Sequence, residues 1–189
     1  MNDCALLIID MQNDFIREGS AMQVPGAGRI IPEIVQVLSL FRRHGLPVFH
    51  VVRIQRADGS DVEVFRRDAF KKTPYAVEGT EGAGIIAELT PAPGEYLIRK
   101  NRTSAFMYTD LDLLLRSLGI KTMFITGVQT PNCIRTTVFD AAALNYSVVL
   151  VEDAVAARNE NIHRANLEDM ANIGVKIVKT SEVGTLLPR

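Results

Sequence analysis

The chain has 189 residues, 47% hydrophobic and 23% charged, with a formal net charge of −1. That length and balance fit one domain with a sizeable core, residues 1–189, and the near-neutral charge predicts neither a nucleic-acid nor a membrane partner. Two cysteines, Cys4 and Cys133, are too few for a disulfide framework. With an N-terminal apolar run too short to span a membrane and no secretory layout, they predict a cytoplasmic protein.

Residues 4–10 form a continuous apolar run ending in a carboxylate, the pattern of a central parallel strand with Asp10 at its carboxyl end. Asp10 there either caps the next turn or serves a site, because a buried carboxylate needs a partner. Gly26 and Gly28 lead into a helix in which Ile30, Ile31, Ile34, Val35, Leu38 and Phe41 recur at helical spacing, and Gly45 closes it. Residues 47–52 form a second strand, with His50 expected as a core residue rather than a ligand. Residues 53–81 are irregular and rich in charge. They are expected to run over the carboxyl ends of the strands as a lid-like excursion containing a short helix. Gly79, Gly82 and Gly84 precede Ile85, Ile86 and Leu89, read as a short helix. A Gly-x-Gly with no strand before it carries no weight as a phosphate loop.

Residues 96–100 form a third strand with Lys100 at its carboxyl end. Thr109 and Asp110 open a helix striped by Leu111, Leu114, Leu115 and Leu118. The apolar run Met123, Phe124, Ile125 is a fourth strand, followed by a Gly127 turn and a helix that Pro131 is suited to start. Cys133 falls in the first turn of that helix, where the positive end of the dipole favours a thiolate and a lowered pKa. The competing reading is a buried structural cysteine. Residues 146–151 form a fifth strand, 159–173 a helix closed by Gly174, and 175–178 a sixth strand. Strands alternating with helices define an α/β class with a six-stranded, mainly parallel sheet.

Asp10, Lys100 and Cys133 all lie at carboxyl ends of strands, where open α/β sheets bind ligands. If strands one and four are neighbours at the switch point, Asp10 and Cys133 share a crevice, and Lys100 must lean in from strand three. Charge divides the labour. Cys133 attacks a carbonyl as thiolate, Asp10 carries the proton from thiol to leaving nitrogen, and Lys100 offsets the carboxylate. Backbone N–H groups of residues 129–133 can face the oxyanion. His163, on a late helix, is given no catalytic role.

The sequence resembles the isochorismatase-like cysteine hydrolases. Residues 7–15 (LIIDMQNDF) match the opening motif of that family, Lys100 with Ser104-Ala105-Phe106 its central motif, and residues 126–133 (TGVQTPNC) its nucleophile motif. The likeness runs from about residue 6 to residue 178. It implies a three-layer αβα sandwich with strand order 3-2-1-4-5-6, a catalytic Asp10–Lys100–Cys133 triad, and a cis peptide between Val128 and Gln129. Through that peptide the N–H groups of Gln129 and Cys133 meet the oxyanion. The resemblance further implies a homodimer or homotetramer acting on a small amide, carbamoyl or ureido compound. Gln12, Phe15, Arg53, Arg102 and Phe106 are the expected substrate-binding residues, since guanidinium groups suit a carboxylate. The stretch after the second strand reads His50-Val51-Val52-Arg53-Ile54-Gln55-Arg56 and lacks the Asp-x-His pair of metal-containing nicotinamidases. No metal or cofactor is therefore expected. Alternatives are a metal-independent nicotinamidase-like or isochorismatase-like hydrolase, a non-catalytic binder on the same scaffold, and a thiol redox protein with Cys4 and Cys133 within disulfide reach.

Overall fold

The first apolar run becomes β1 (Cys4–Ile9), in which every residue is buried. In the computed structural model, which describes residues 3–20 and 22–188, it lies at the middle of the fold. With β2 (Val48–Arg53), β3 (Tyr96–Lys100), β4 (Thr122–Val128), β5 (Ser147–Ala156) and β6 (Lys176–Val178) it builds one parallel sheet of order β3-β2-β1-β4-β5-β6. The chain builds outward from β1 to β3, then returns to place β4 on the other side of β1. The β1/β4 boundary is therefore the topological switch point, where a crevice opens at the carboxyl ends of the strands.

Seven α-helices flank the sheet among the described residues: α1 (Asn13–Ile16), α2 (Ile31–Arg43), α3 (Arg67–Lys72), α4 (Leu111–Ser117), α5 (Arg135–Ala143), α6 (Glu160–Asn172) and α7 (Thr180–Leu186). Alternation along β1 feeds two cores. Leu6 and Ile8 pack with Ile34, Leu38 and Phe41 of α2 and Val183 of α7. Leu7 and Ile9 pack with Leu111 and Leu115 of α4, Val138 of α5 and Met170 of α6. Each fully buried Leu or Ile contributes about 1.5–3 kcal/mol, so both layers hold the sheet firmly. No described helix is long and apolar enough to cross a membrane.

Two elements differ from the sequence expectation. The fifth strand runs on through Glu152 and Asp153 to Ala156. Ile125 pairs with Leu150 but Gly127 with Val155, so extra residues of β5 are absorbed in a bulge. The Asp153 carboxylate is satisfied there by the N–H and hydroxyl of Thr180, at 2.9 and 2.8 Å. The short helix expected before β3 is instead two single 3-10 turns, Glu81–Ala83 and Ala87–Leu89. Its backbone is drawn away to α1 and the loop before it: Ile85 bridges Gln12, and Ile86 N–H donates to Met11 O at 3.1 Å.

The excursion after β2 contains a 3-10 turn, Val64–Arg66, that runs into α3. Its neck is pinned where Gln55 N–H donates to Ala76 O (2.8 Å) and Glu78 N–H to Gln55 O (2.9 Å). Ala76 N–H also donates to Asp14 of α1 at 2.7 Å. Tyr75 packs edge-on against both Phe70 and Phe15, with ring centroids 5.5 and 6.0 Å apart.

Candidate active site

At the end of β1 the chain turns through Asp10, whose φ of +54° lies in the left-handed region that Asp tolerates better than most side chains. Asp10 N–H is held by Val51 O at 2.8 Å, and Asp10 O accepts from Gln12 N–H at 2.9 Å. These bonds fix where the carboxylate points. Lys100 ends β3 and reaches past β2. Its Nζ donates to Asp10 Oδ2 at 2.8 Å, to Arg102 O at 3.2 Å and to Cys133 Sγ at 3.4 Å. Both ionic side chains are buried.

The thiol is brought in by a close approach of β4 to β1. Gly127 has φ +111°, and a Cβ there would overlap the backbone of Ile9. Beyond it the Val128–Gln129 peptide is cis. The chain then winds through a π-type turn, Thr130–Ile134, that delivers Cys133 and continues into α5. Thr137 Oγ1 donates to Cys133 O at 2.6 Å and accepts from Ala105 N–H at 3.0 Å, locking the turn to the segment after β3.

Burial pushes the Cys133 thiol pKa up and the Asp10 carboxylate adds to the rise. Lys100 and Arg53 pull it down without overcoming the two. The shift is thus upward, opposite to the lowered pKa expected from the helix terminus, and burial is its largest cause. Forming the thiolate therefore works against burial and the Asp10 carboxylate, with Lys100 and Arg53 on its side.

Arg53 is the third cation of the site. Its Nη2 lies 3.9 Å from Cys133 Sγ, while Nη1 donates to both Glu63 oxygens at 3.0 and 3.1 Å. With its amide turned to satisfy both ends, Gln55 accepts from Arg53 Nη1 at 3.0 Å and donates to Asp61 at 3.2 Å. Burial works against the guanidinium charge, but Cys133, Asp10 and Glu63 more than restore it and hold its pKa above the ordinary value.

A small cavity of about 30 Å³ opens above the thiol, and Asp10, Phe15, Arg53, Val128, Gln129 and Cys133 all line it. Lys100 reaches the site through its contacts with Asp10 and Cys133 and does not itself line the cavity. Three residues expected to bind substrate are placed elsewhere. Gln12 is consumed in structure, its amide donating to Arg53 O and Ala83 O and accepting from Arg53 N–H, at 2.8, 2.7 and 2.7 Å. Arg102 turns to the backbone, donating to Asp61 O at 2.5 Å and Asn101 O at 3.0 Å. Phe106 stacks on Tyr146 at 5.9 Å. In their place the cavity has Met22, Val24, Arg66, Tyr75 and Asn132. Of these only Asn132, next to Cys133 in the chain, was marked by position. Arg66 was one charge among twelve in the excursion, and nothing in the sequence shows Tyr75 folding back over Phe15.

His50 is a buried core residue paired with Glu95 at 2.8 Å, and His163 contacts Thr130 Oγ1 at 2.9 Å. Both cysteines are free thiols. Among the described residues no group of three His, Cys, Asp or Glu side chains is arranged to hold a metal ion.

Fold and site together define a doubly wound α/β protein with an Asp–Lys–Cys cluster buried at the switch point. The chain belongs to the isochorismatase family: the isochorismatase domain model matches residues 4–182, and members of that family are hydrolases. It is 48% identical to an Arabidopsis thaliana protein described as a "probable inactive nicotinamidase", over 91% of this chain and 90% of that one. It is 31% identical to N-carbamoylsarcosine amidase of Arthrobacter sp, over 90% of this chain and 66% of that one. The crystal structure of an isochorismatase family protein from Desulfovibrio vulgaris superposes with a TM-score of 0.95 at 45% identity, covering 100% of both chains.

Proposed function

We propose that this protein is a cysteine-dependent amidohydrolase that cleaves a C–N bond of a small amide, carbamoyl or ureido compound. The observation that carries the reading is one ammonium group, Lys100 Nζ, lying 2.8 Å from a carboxylate and 3.4 Å from a thiol at the floor of a small cavity. As substrate enters, Asp10 takes the S–H proton and Cys133 Sγ bonds to the carbonyl carbon. Lys100 and Arg53 stabilise the sulfur as it becomes negative, and the N–H groups of Gln129 and Cys133 receive the oxyanion. Asp10 returns the proton to the departing nitrogen, and ammonia or an amine leaves. Water, deprotonated by the same carboxylate, then attacks the thioester-type intermediate and frees the thiol. These steps need no metal or cofactor. In this reading the protein works in the cytoplasm as a homodimer or homotetramer, without nucleic acid or membrane.

A second reading, a catalytically silent small-molecule binder, is favoured by one observation: the 48% identical plant relative is described as probably inactive as a nicotinamidase. Ammonia release from carbamoyl amino acids, ureido acids, biuret and nicotinamide, followed by mass spectrometry of acid-quenched enzyme, separates the two. An acyl adduct on Cys133 that is absent from Cys133→Ala supports the hydrolase. No ammonia and no adduct from any compound supports the binder.

A further inference from the structure

Among the described residues, four buried side-chain polar atoms have no hydrogen-bond partner: Asp10 Oδ1, His50 Nδ1, Arg66 Nε and Tyr75 Oη. Buried polar groups are almost always paired, so each exception calls for an explanation. Three of the four belong to residues that line the cavity over Cys133. Asp10 Oδ1 is the acceptor the reaction requires. The other two are donors that the chemistry at sulfur does not use.

Tyr75 is 2% exposed and wedged between Phe15 and Phe70, so its hydroxyl is held at a fixed point. Arg66 ends the 3-10 turn of the excursion, with its guanidinium 5.1 Å from the Phe65 ring centroid. Glu63 is 4.0 Å from Arg66 Nε and already accepts two hydrogen bonds from Arg53. The charges around the thiol are Lys100, Arg53 and Arg66 against Asp10 and Glu63. Lys100 is matched by Asp10, while Arg53 and Arg66 share the single carboxylate of Glu63, so the cluster carries one cation more than its carboxylates.

We propose that Arg66 and Tyr75 form the specificity subsite of the cavity, capturing a carboxylate at the end of the substrate remote from the scissile C–N bond. The inference rests on the amidohydrolase reading and narrows its substrate class to short amido or ureido acids. A guanidinium edge and a phenol hydroxyl suit the two oxygens of a carboxylate. Arg66 and Tyr75 line the same small cavity as Cys133, so a carboxylate held there belongs to a short molecule whose carbonyl meets the thiol. Arg53 lines the same space, but its Nη1 is occupied by Glu63 and its Nη2 faces the sulfur, so it serves the nucleophile instead.

The test compares two acids, N-carbamoylglycine and maleamate, with their methyl esters, measuring ammonia release by wild type, Arg66→Met, Arg66→Lys and Tyr75→Phe. Binding of the same compounds to Cys133→Ala and to Cys133→Ala/Arg66→Met is measured by calorimetry. Wild type should favour the better acid over its ester by about 30-fold or more in kcat/KM, the scale of a charged hydrogen-bonded contact. Arg66→Met should remove that preference, chiefly through a raised KM for the acid. Arg66→Lys should keep part of the preference, and Tyr75→Phe should lose a few-fold. Acid and ester turned over alike by wild type, or an acid preference that survives Arg66→Met, overturns the subsite and leaves the amidohydrolase reading standing. Acid binding that depends on Arg66, with no ammonia from any compound, supports the subsite and defeats the hydrolase reading.

Discussion

Lys100 and Asp10 end strands that are not neighbours, yet they form a 2.8 Å ion pair. Strands two apart in a sheet are separated by roughly 10 Å, a gap that a lysine stem and an Asp carboxylate span together. Because the pair is buried and also reaches the thiol, it links the positions of β1, β3 and β4 at one point.

Replacing Asp10 tests what that link is for. Asp10→Asn keeps the shape but removes the proton acceptor. Turnover of the best substrate should fall about 100-fold or more, the usual loss for a general base. Thermal stability should fall by a smaller margin than in Asp10→Ala, because the amide can still accept from Lys100 and the cavity is not enlarged. Steady-state rates and melting temperatures of the two variants, measured side by side, check this. Near-normal turnover in Asp10→Asn removes Asp10 from the mechanism.

Gly127 makes the meeting of β1 and β4 possible. Its φ of +111° is one that L side chains rarely adopt, and an added Cβ would overlap the Ile9 backbone. Gly127→Ala should therefore destabilise by about 3 kcal/mol or more, from combined strain and overpacking. It should also separate Asp10 from the Cys133 turn. Urea unfolding provides the measurement. By contrast, Gly119→Ala meets no atom within 4 Å and carries only the conformational cost of its φ of +70°, so it should be milder.

The sheet was legible because buried parallel strands appear as apolar runs: β1 is unbroken, and β2 and β4 are interrupted only by single polar residues or at their ends. The strand order came with the family resemblance. Asp10, Lys100 and Cys133 could be located because each closes a strand or opens the helix after one. The excursion was less legible. Its length and charge marked it as an excursion, but the roles of its residues depend on tertiary contacts such as Tyr75 on Phe15 and Arg53 on Glu63. Gln12 and Phe106 illustrate the limit. Both lie in the matched motifs, and the structure uses one to tie β2 to the segment before β3 and the other to pack against Tyr146. The end of β5 was misread because Glu152 and Asp153 look like a strand terminus until Thr180 is seen satisfying Asp153.

Glu95 and His50 should make stability sensitive to acid. Burial of Glu95 favours its neutral form, but Arg42, the Ala92 N–H and His50 outweigh that and hold its pKa down at about 2. A depressed carboxylate contributes stability that is fully present above its ordinary 4.5 and lost as pH falls towards 2. Burial lowers the His50 pKa, only partly offset by Glu95, so its contribution too is present above 6.5 and declines as pH falls. Glu95→Gln should cost about 2 kcal/mol at pH 7, a figure discounted for Arg42, whose side chain is 38% exposed. The difference from wild type should shrink between pH 5 and 3. Chemical unfolding across that range checks the sign. A gap that widens on acidification contradicts it.

The raised pKa of Cys133 leads to an opposition between reactivity and turnover. Burial raises it first and Asp10 second, while Lys100 and Arg53 pull it down. Asp10→Asn removes one raising influence and leaves both lowering ones. Its thiolate fraction at pH 7 should therefore exceed that of wild type, and iodoacetamide should alkylate Cys133 several-fold faster although hydrolysis has collapsed. Lys100→Met removes a lowering influence, so alkylation and hydrolysis should both slow. Cys4, buried at the start of β1 with its own pKa raised by burial and Asp3, should remain unlabelled on this timescale in each protein. Alkylation rates from pH 6 to 10, resolved by peptide mass spectrometry, give the apparent thiol pKa directly. A midpoint that moves down in Asp10→Asn and up in Lys100→Met assigns the two charges their opposing effects on sulfur. If instead the Asp10→Asn midpoint rises, the carboxylate acts mainly by keeping Lys100 in place beside the thiol, and its part as proton acceptor must be taken by water in the cavity.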